Sequence, residues 1–230
     1  MTFELMGDIE AVYFDLDGTL CVRDQSDEEV YEEVFDRVEA PVFFDLNDVY
    51  AVDYSSLPEA NSDRKQYEHV YRAIARNVGA DPSYAPTLAE ATLKVLDPTA
   101  VSFRDGANEV LEYVRETYAV GLITAGSEET QLPKLETLGI QDAFDVTVCC
   151  GPGTGIESKP DPEPFEIALD ELGSSPARSI YVGNQHDRDV VGPQRVGMQT
   201  AWVPEEDVSS NPKPEPTFHL SSMHEITDIL

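Results

Sequence analysis

Short apolar runs alternate with helix-length segments over most of the chain. The runs of strand length cover residues 11–14, 119–123, 144–150, 178–182 and 199–203, and a last short strand and helix are predicted within 217–230. Helical spacing of apolar residues lies between them, over 108–118, in a segment ending near Gly139, and over 162–172. Strands separated by helices require right-handed crossovers and a parallel sheet. We therefore predict an α/β fold with a doubly wound, Rossmann-like sheet in three layers.

Residues 21–100 follow a different pattern, which is acidic and amphipathic. Val30, Val34 and Val38 are spaced four apart within 26–38, and similar helical patterns cover 67–78 and 87–96. The intervening 39–66 is aromatic and irregular, and fits either a helix with a loop or a short pair of strands. The predicted organisation is a core formed by 1–20 and 101–230, interrupted by a mostly helical insert at 21–100.

The charge balance adds a constraint on the environment of the protein. The sequence holds 15 basic and 45 acidic residues, for a net charge of −30, at nearly equal density in the insert and in the core. Self-repulsion of that size destabilises a compact fold unless salt screens it. Because 41% of the residues are hydrophobic and regularly spaced, disorder is a poor explanation. We expect a protein adapted to a salt-rich cytoplasm, as in extreme halophiles.

The same composition excludes several classes of function. Nucleic acid and anionic membranes are recognised by clustered Lys and Arg, which this sequence lacks. Cys21, Cys149 and Cys150 form neither a disulfide framework nor a metal-ligand spacing. No apolar run is long enough to span a bilayer, and the first residues do not resemble a signal peptide. We expect a cytoplasmic protein that binds neither nucleic acid nor membrane.

The candidate chemistry begins directly after the first apolar run. Asp15 and Asp17 follow residues 11–14 and precede Gly18 in the sequence DLDGT, so two carboxylates stand where a buried strand meets a loop. Burying a carboxylate costs several kcal/mol, on the order of the penalty known for unpaired ions, unless a cation compensates it. Gly18 allows the chain to turn at once. The pattern favours a cation site over an ordinary turn.

This stretch resembles the first motif of the haloacid dehalogenase-like hydrolase superfamily, whose pattern is DxDGT. The resemblance implies that Asp15 is the nucleophile that attacks phosphorus and that Asp17 is the general acid and base. Many members of that superfamily carry a helical cap directly after the first motif, so the resemblance also implies that 21–100 is a cap that closes over the site. A closing lid excludes water and strengthens electrostatic contacts within the site.

Two later segments resemble the second and third motifs. Thr124, followed by Ala125 and Gly126, ends an apolar run, where a hydroxyl and free backbone amides are expected to meet phosphate oxygens. Lys159, in the sequence KPDP, is held by two prolines at the start of a helix. Its implied role is to neutralise Asp15 and the incoming phosphate. Thr124, Ala125, Gly126 and Lys159 are thus the predicted substrate-binding residues.

The fourth motif departs from the superfamily pattern. Asn184 stands where an Asp is usual, and Asp189 keeps the second acidic position. An amide oxygen can bind a hard cation but carries no charge. The predicted magnesium ligands are Asp15, Asp17, Asn184 and Asp189. Asp187 is an alternative to Asn184 or Asp189 as the ligand that shares the ion with Asp15.

The resulting hypothesis is a magnesium-dependent phosphomonoester hydrolase that acts through an aspartyl phosphate on a small phosphorylated metabolite. A phosphomutase or a dehalogenase on the same fold is an alternative, although dehalogenases do not need an acid at the position of Asp17. A non-catalytic binding protein of the same superfamily is a further alternative, suggested by Asn184 alone.

Overall fold

A six-stranded parallel sheet forms the centre of the computed structural model, which describes residues 9–205 and 212–230. In chain order the strands are β1 (Ala11–Phe14), β2 (Cys21–Arg23), β3 (Val101–Phe103), β4 (Ala119–Ala125), β5 (Val146–Cys150), β6 (Ser179–Gly183), β7 (Gln199–Trp202) and β8 (Phe218–His219). The central sheet has the order β5-β4-β1-β6-β7-β8, and all its neighbouring strands are parallel. The predicted fold class is confirmed.

Nine α-helices connect these strands within the described residues. They are α1 (Asp27–Asp36), α2 (Leu46–Tyr50), α3 (Asp63–Val78), α4 (Ala85–Val95), α5 (Ala107–Arg115), α6 (Glu128–Leu138), α7 (Glu163–Leu172), α8 (Gly192–Arg195) and α9 (Ile226–Ile229). A π-helical turn, His186–Val191, follows β6. The helices predicted over 108–118 and 162–172 are confirmed within a few residues.

Strand β1 lies in the middle of the sheet because it is apolar on both sides. Val12 and Phe14 pack into the apolar layer on one face, while Ala11 and Tyr13 pack into the layer on the other. Alternate residues of a strand point to opposite faces, so four consecutive buried residues require helices on both. The carboxyl end of this strand is therefore deeply enclosed, and it is where the chain delivers Asp15.

The insert begins and ends on a two-stranded antiparallel ribbon that the sequence pattern did not reveal. Strand β2 pairs with β3, with Cys21 opposite Phe103 and Arg23 opposite Val101. Strands of three residues are too short to show a period of two. The predicted boundaries divide this ribbon, since they assign β2 to the insert and β3 to the core. The division into a core and a cap stays a prediction, and its residues 1–8 lie outside the described part of the chain.

Helices α1–α4 share an apolar cluster of their own. Val34, Val70, Ile74 and Leu88 are its most buried members, and aromatic side chains from 31–84 pack around them. The irregular segment 39–66 contains α2 and a 3₁₀ turn, Tyr54–Ser56, so it is a helix with loops and not a pair of strands. None of the helices in the described ranges is sufficiently long and apolar to cross a bilayer.

Candidate active site

The carboxyl ends of β1, β4 and β6 bring the predicted site residues to one edge of the sheet. Asp15 directly follows β1, and its backbone amide donates to Val182 O on β6 at 2.9 Å. Thr124 lies within β4, next to β1 in the sheet. In parallel sheets, the crevice beyond these strand ends is the usual ligand site. The sheet topology therefore accounts for the meeting of residues more than 100 positions apart.

Lys159 is the central cation of the site. Its Nζ lies 2.7 Å from Asp15 Oδ1, 2.8 Å from Asp189 Oδ1 and 2.8 Å from the Tyr181 hydroxyl. These three contacts use all three donors of the ammonium group. The Tyr181 hydroxyl in turn donates to Ile123 O at 2.9 Å. The lysine side chain is 1% exposed, so its position is fixed by a fully buried network.

Burial and charge act in opposite directions on this network. Burial raises the pKa of Asp15, while the Lys159 ammonium lowers it and the Asp189 carboxylate raises it again. Burial lowers the pKa of Lys159, but Asp15 and Asp189 raise it well above its ordinary value. Two carboxylates around one ammonium leave one negative charge to be compensated in a buried place, and the net pKa of Asp15, raised to about 7 mainly by burial, shows that a proton or a further cation can do so. Such a place favours the approach of a further cation.

Asp17 is held by a lysine that sequence reasoning missed. Lys134 Nζ lies 2.7 Å from both Asp17 Oδ1 and Asp17 Oδ2. The Asp17 side chain is 47% exposed, whereas the Lys134 side chain is 14% exposed. The carboxylate therefore faces the open side of the site, and the ammonium on α6 fixes its orientation.

Gln131, also on α6, connects this ion pair to Thr124. Its Oε1 accepts from the Thr124 hydroxyl at 3.2 Å and from Lys134 Nζ at 3.3 Å, and its side-chain amide donates to Ala125 O at 3.3 Å. Gln131 and Lys134 are three residues apart, so they lie on the same face of the helix. These two residues could have been found in the sequence from their polar character and their spacing of three in the helix that follows Thr124.

The expected free amides after β4 are only partly present. The Gly126 N–H, which we expected to be free for phosphate, donates to Cys150 O at 2.8 Å. The expectation of a free amide is wrong for Gly126, because the chain extends the β4–β5 ladder by one residue before it turns. The Thr124 hydroxyl is fully buried and already bonded to Gln131. A phosphate oxygen must replace that bond to reach it.

Asn184 and Asp15 present oxygen atoms to one hydroxyl group. The Thr19 hydroxyl lies 3.3 Å from Asn184 Oδ1 and 3.5 Å from Asp15 Oδ2. A single hydroxyl hydrogen serves one of these oxygens at a time, so the other keeps a free lone pair. Amide and carboxylate oxygens are the ligands that Mg²⁺ prefers, and the uncompensated negative charge is next to them. This donor set fits the magnesium ion that the family implies.

The remaining acidic positions have other contacts. Both carboxylate oxygens of Asp189 have partners: Oδ1 pairs with Lys159, and Oδ2 accepts from the backbone N–H of Gln185 at 2.8 Å. The Asp187 side chain is 94% exposed and lies 3.6 Å from His186 Nδ1, so it is largely in solvent. In the described part of the chain, no three His, Cys, Asp or Glu side chains are grouped as a metal site. Asp15 and Asn184 are thus the best-placed candidates.

The insert reaches the same edge of the sheet. Ser127, just after β4, donates to Asp63 Oδ2 at the start of α3 at 2.6 Å. The backbone also approaches closely at Gly153, where a Cβ would lie 3.1 Å from Asn61 O. The helical insert is therefore in contact with the loops that surround the candidate site.

Comparisons with known proteins agree with this arrangement. The chain is 29% identical to a glyceraldehyde 3-phosphate phosphatase from Methanopyrus kandleri, over 96% of this chain and 97% of that protein. It is 26% identical to a pyrophosphatase from Bacillus cereus, over 85% and 83%. A HAD hydrolase from Bacillus subtilis, solved with bound magnesium, has the same fold with a TM-score of 0.72 and 19% identity, over 97% and 99%.

The family model that matches the chain covers residues 12–203, which include every candidate site residue described above. That range contains the first aspartates, the threonine after β4, the buried lysine and the loop after β6. The chain belongs to the haloacid dehalogenase-like hydrolase family.

Proposed function

We propose that this protein is a magnesium-dependent phosphomonoester hydrolase that acts through an aspartyl phosphate on Asp15. The observation that carries the proposal is the position of Asp15, which is 6% exposed at the end of β1 with the Lys159 ammonium 2.7 Å from Oδ1. A carboxylate held in this way is oriented and dehydrated, and the ammonium beside it offsets part of its repulsion of an anionic substrate. The relatives named as phosphatases support the same reaction class.

In the first half of the reaction, a carboxylate oxygen of Asp15 attacks the phosphorus atom. The new bond joins that oxygen to phosphorus, and the bond from phosphorus to the ester oxygen breaks. Asp17, at the open side of the site, must carry a proton when the substrate is bound, and it gives this proton to the departing alkoxide. The products of this half are an alcohol and an acyl phosphate on Asp15.

In the second half, water hydrolyses the acyl phosphate. Asp17, now ionised, accepts a proton as the water oxygen attacks phosphorus, and the bond between phosphorus and Asp15 breaks. Inorganic phosphate leaves and both aspartates return to their initial states. Lys134 keeps Asp17 oriented toward the reacting groups during both halves.

Asp15 and Asn184 would hold the magnesium ion directly, with Asp17 and Asp189 as the other predicted ligands. When bound, the ion neutralises negative charge on the phosphoryl group. Asp189 contributes chiefly by holding Lys159, because both of its carboxylate oxygens already have partners. Asp17 would have to release Lys134 before it could bind the ion, so the role proposed for it here is that of acid and base while Lys134 stays in place.

Thr124 and Lys159 are the side chains proposed to bind the transferred phosphoryl group. Both side chains are buried and already have hydrogen-bond partners. Phosphate would therefore replace Gln131 as the partner of the Thr124 hydroxyl, and it would bind the Lys159 ammonium together with Asp15. The backbone around Ala125 lies at the same strand end. Gly126 allows the chain to turn there, but its N–H is already bonded and is not free to bind phosphate.

We assign residues 21–100 the role of a cap that covers the site and selects the substrate. The contact between Ser127 and Asp63 supports this assignment, since it joins the insert to the loop after the phosphate-binding strand. The net charge of −30 supports adaptation to a salt-rich cytoplasm, and it disfavours nucleic acid or anionic membranes as partners. The proposed partner is a small phosphorylated metabolite.

Release of phosphate from a panel of phosphomonoesters tests the function. The purified protein is assayed with a chromogenic ester and with small phosphorylated metabolites in molar KCl, once with Mg²⁺ and once with EDTA. We expect phosphate release that requires Mg²⁺. Absence of release from every ester, by a protein whose circular dichroism shows that it is folded, would contradict the proposal.

Replacing Lys134 with methionine tests the role assigned to the ion pair with Asp17. We expect kcat to fall about tenfold, as part of the factor that general acid–base catalysis supplies, while KM changes little, because the carboxylate loses its orientation but the phosphate keeps its binding groups. Lys94→Met removes an exposed ion pair with Glu90 and serves as the matched control. A rise in KM at unchanged kcat would show instead that Lys134 binds the substrate.

A further inference from the structure

A carboxylate that belongs to none of the four motifs lies against the candidate metal site. Glu205 follows β7, and its Oε1 accepts from Asn184 Nδ2 at 2.6 Å. We propose that Glu205 is a positioning residue of the magnesium site, which turns the Asn184 amide oxygen toward Asp15. The inference rests on the proposed function, since it concerns the magnesium ion of that reaction.

The chemistry of the pair fixes the orientation of the amide. A carboxylate accepts hydrogen bonds, so only the amino end of the asparagine side chain can face Glu205. Asn184 Oδ1 then points to the opposite side, where the Thr19 hydroxyl lies at 3.3 Å and joins it to Asp15 Oδ2 at 3.5 Å. Without the Glu205 carboxylate, this contact would not determine whether the oxygen or the amino group of the Asn184 side chain faces position 205.

The backbone on both sides of the pair is fixed by hydrogen bonds. Arg104 donates to Val203 O at 2.7 Å and to Pro204 O at 2.8 Å, which holds the chain just before Glu205. The Trp202 indole donates to Asn184 O at 2.8 Å, which holds the other partner. Because β6 and β7 are parallel neighbours, the chain leaves both strands at the same edge of the sheet. The contact therefore follows from the fold.

The pair also packs directly on the loop that carries the two catalytic aspartates. A Cβ at Gly18 would lie 2.2 Å from Asn184 Nδ2 and 2.4 Å from Glu205 Oε1. The Gly18 carbonyl accepts from Arg104 at 2.8 Å, so the same arginine holds this loop and the Glu205 segment together. Glu205 therefore lies beside the loop between Asp17 and Thr19, where the Arg104 guanidinium interacts with its carboxylate.

The arrangement explains how a site with asparagine at position 184 retains a divalent cation. An amide ligand carries one charge fewer than a carboxylate, which weakens the attraction for Mg²⁺. Groups that orient a metal ligand by hydrogen bonding contribute about 10-fold to 100-fold to metal affinity. Glu205 provides this hydrogen bond from the segment that follows the neighbouring strand β7.

Titration calorimetry of Mg²⁺ into the metal-free full-length protein tests this inference without a substrate. We expect Glu205→Gln to weaken Mg²⁺ binding roughly tenfold. Glu171→Gln, which removes one exposed charge from α7, is the matched control and is expected to bind as the wild type does. Near-UV circular dichroism of each variant verifies folding, and Glu205→Asp provides a second variant that keeps the charge on a shorter side chain.

The same titration in an Asn184→Asp background gives the sharper test. There the side chain at 184 carries its own charge and has no amino end to donate, so Glu205→Gln is expected to leave Mg²⁺ affinity unchanged or to increase it. Equal Mg²⁺ affinity of Glu205→Gln and the wild type would overturn the inference, as would an equal loss in both backgrounds. If the wild type releases phosphate with Mg²⁺ while Glu205→Gln binds the ion normally, this inference fails and the proposed function stands. A wild type that binds no Mg²⁺ contradicts both.

Discussion

Asp15→Asn should reduce phosphate release by at least about a thousandfold, the scale of effect known for removal of an enzyme nucleophile. The substitution preserves the size of the side chain, but its neutral amide does not attack phosphorus. Lys159 keeps Asp189 and the Tyr181 hydroxyl as partners, so we expect the variant to fold. The measurement is the initial rate of release from a chromogenic phosphomonoester with Mg²⁺, compared with the wild type.

A second measurement identifies the covalent step. Acid quenching during turnover of a phosphate-labelled substrate should leave label on the wild-type chain and none on the Asp15→Asn variant. Asp170→Asn, on the exposed side of α7, is the matched control and should behave as the wild type does. Turnover by Asp15→Asn near the wild-type rate would rule out this residue as the nucleophile.

Lys159→Met should lower the free energy of unfolding by about 3–5 kcal/mol, the usual result of removing one partner from a buried ion pair. The variant leaves Asp15 and Asp189 facing each other without the ammonium that lies 2.7 and 2.8 Å from them. The comparison is made by denaturant unfolding in EDTA, from the midpoint and the slope of the transition.

Two further variants test whether the loss of stability comes from the buried charges or from the removal of any lysine. Lys65→Met removes a lysine from a half-exposed pair with Glu68 and should cost less than about 1 kcal/mol. Adding Asp189→Asn to Lys159→Met removes one of the two unpaired carboxylates and should recover part of the loss. If Lys159→Met and Lys65→Met destabilise equally, the buried network does not hold the core together as described.

The fold could be predicted because its strongest signals are local and periodic. Four consecutive apolar residues predicted β1 as a buried strand, and Gly18 predicted the turn that leaves Asp15 at its carboxyl end. Lys159 was found because the two prolines that follow it, Pro160 and Pro162, form a recognisable pattern. Each of these inferences needed only neighbouring residues in the sequence.

Contacts made across the fold were beyond the reach of the sequence alone. Lys134 pairs with a carboxylate 117 positions away, and Glu205 contacts Asn184 only because β6 and β7 are neighbours. The occupied amide of Gly126 depends on how far the β4–β5 ladder continues, which no residue type specifies. Sequence patterns therefore indicated the residues proposed to react and missed most of those that hold them.

The ribbon of β2 and β3 has a consequence for how this enzyme family diversifies. Cys21 lies opposite Phe103, so the chain leaves the core and returns to it on adjacent strands, which are spaced about 5 Å apart. The pairing of β2 with β3 therefore sets the distance between the two ends of the insert, whatever the length of the insert. An insert of a different size could therefore occupy the same place without any change to the sheet that holds Asp15, and in the proposed role of a cap it would admit different molecules.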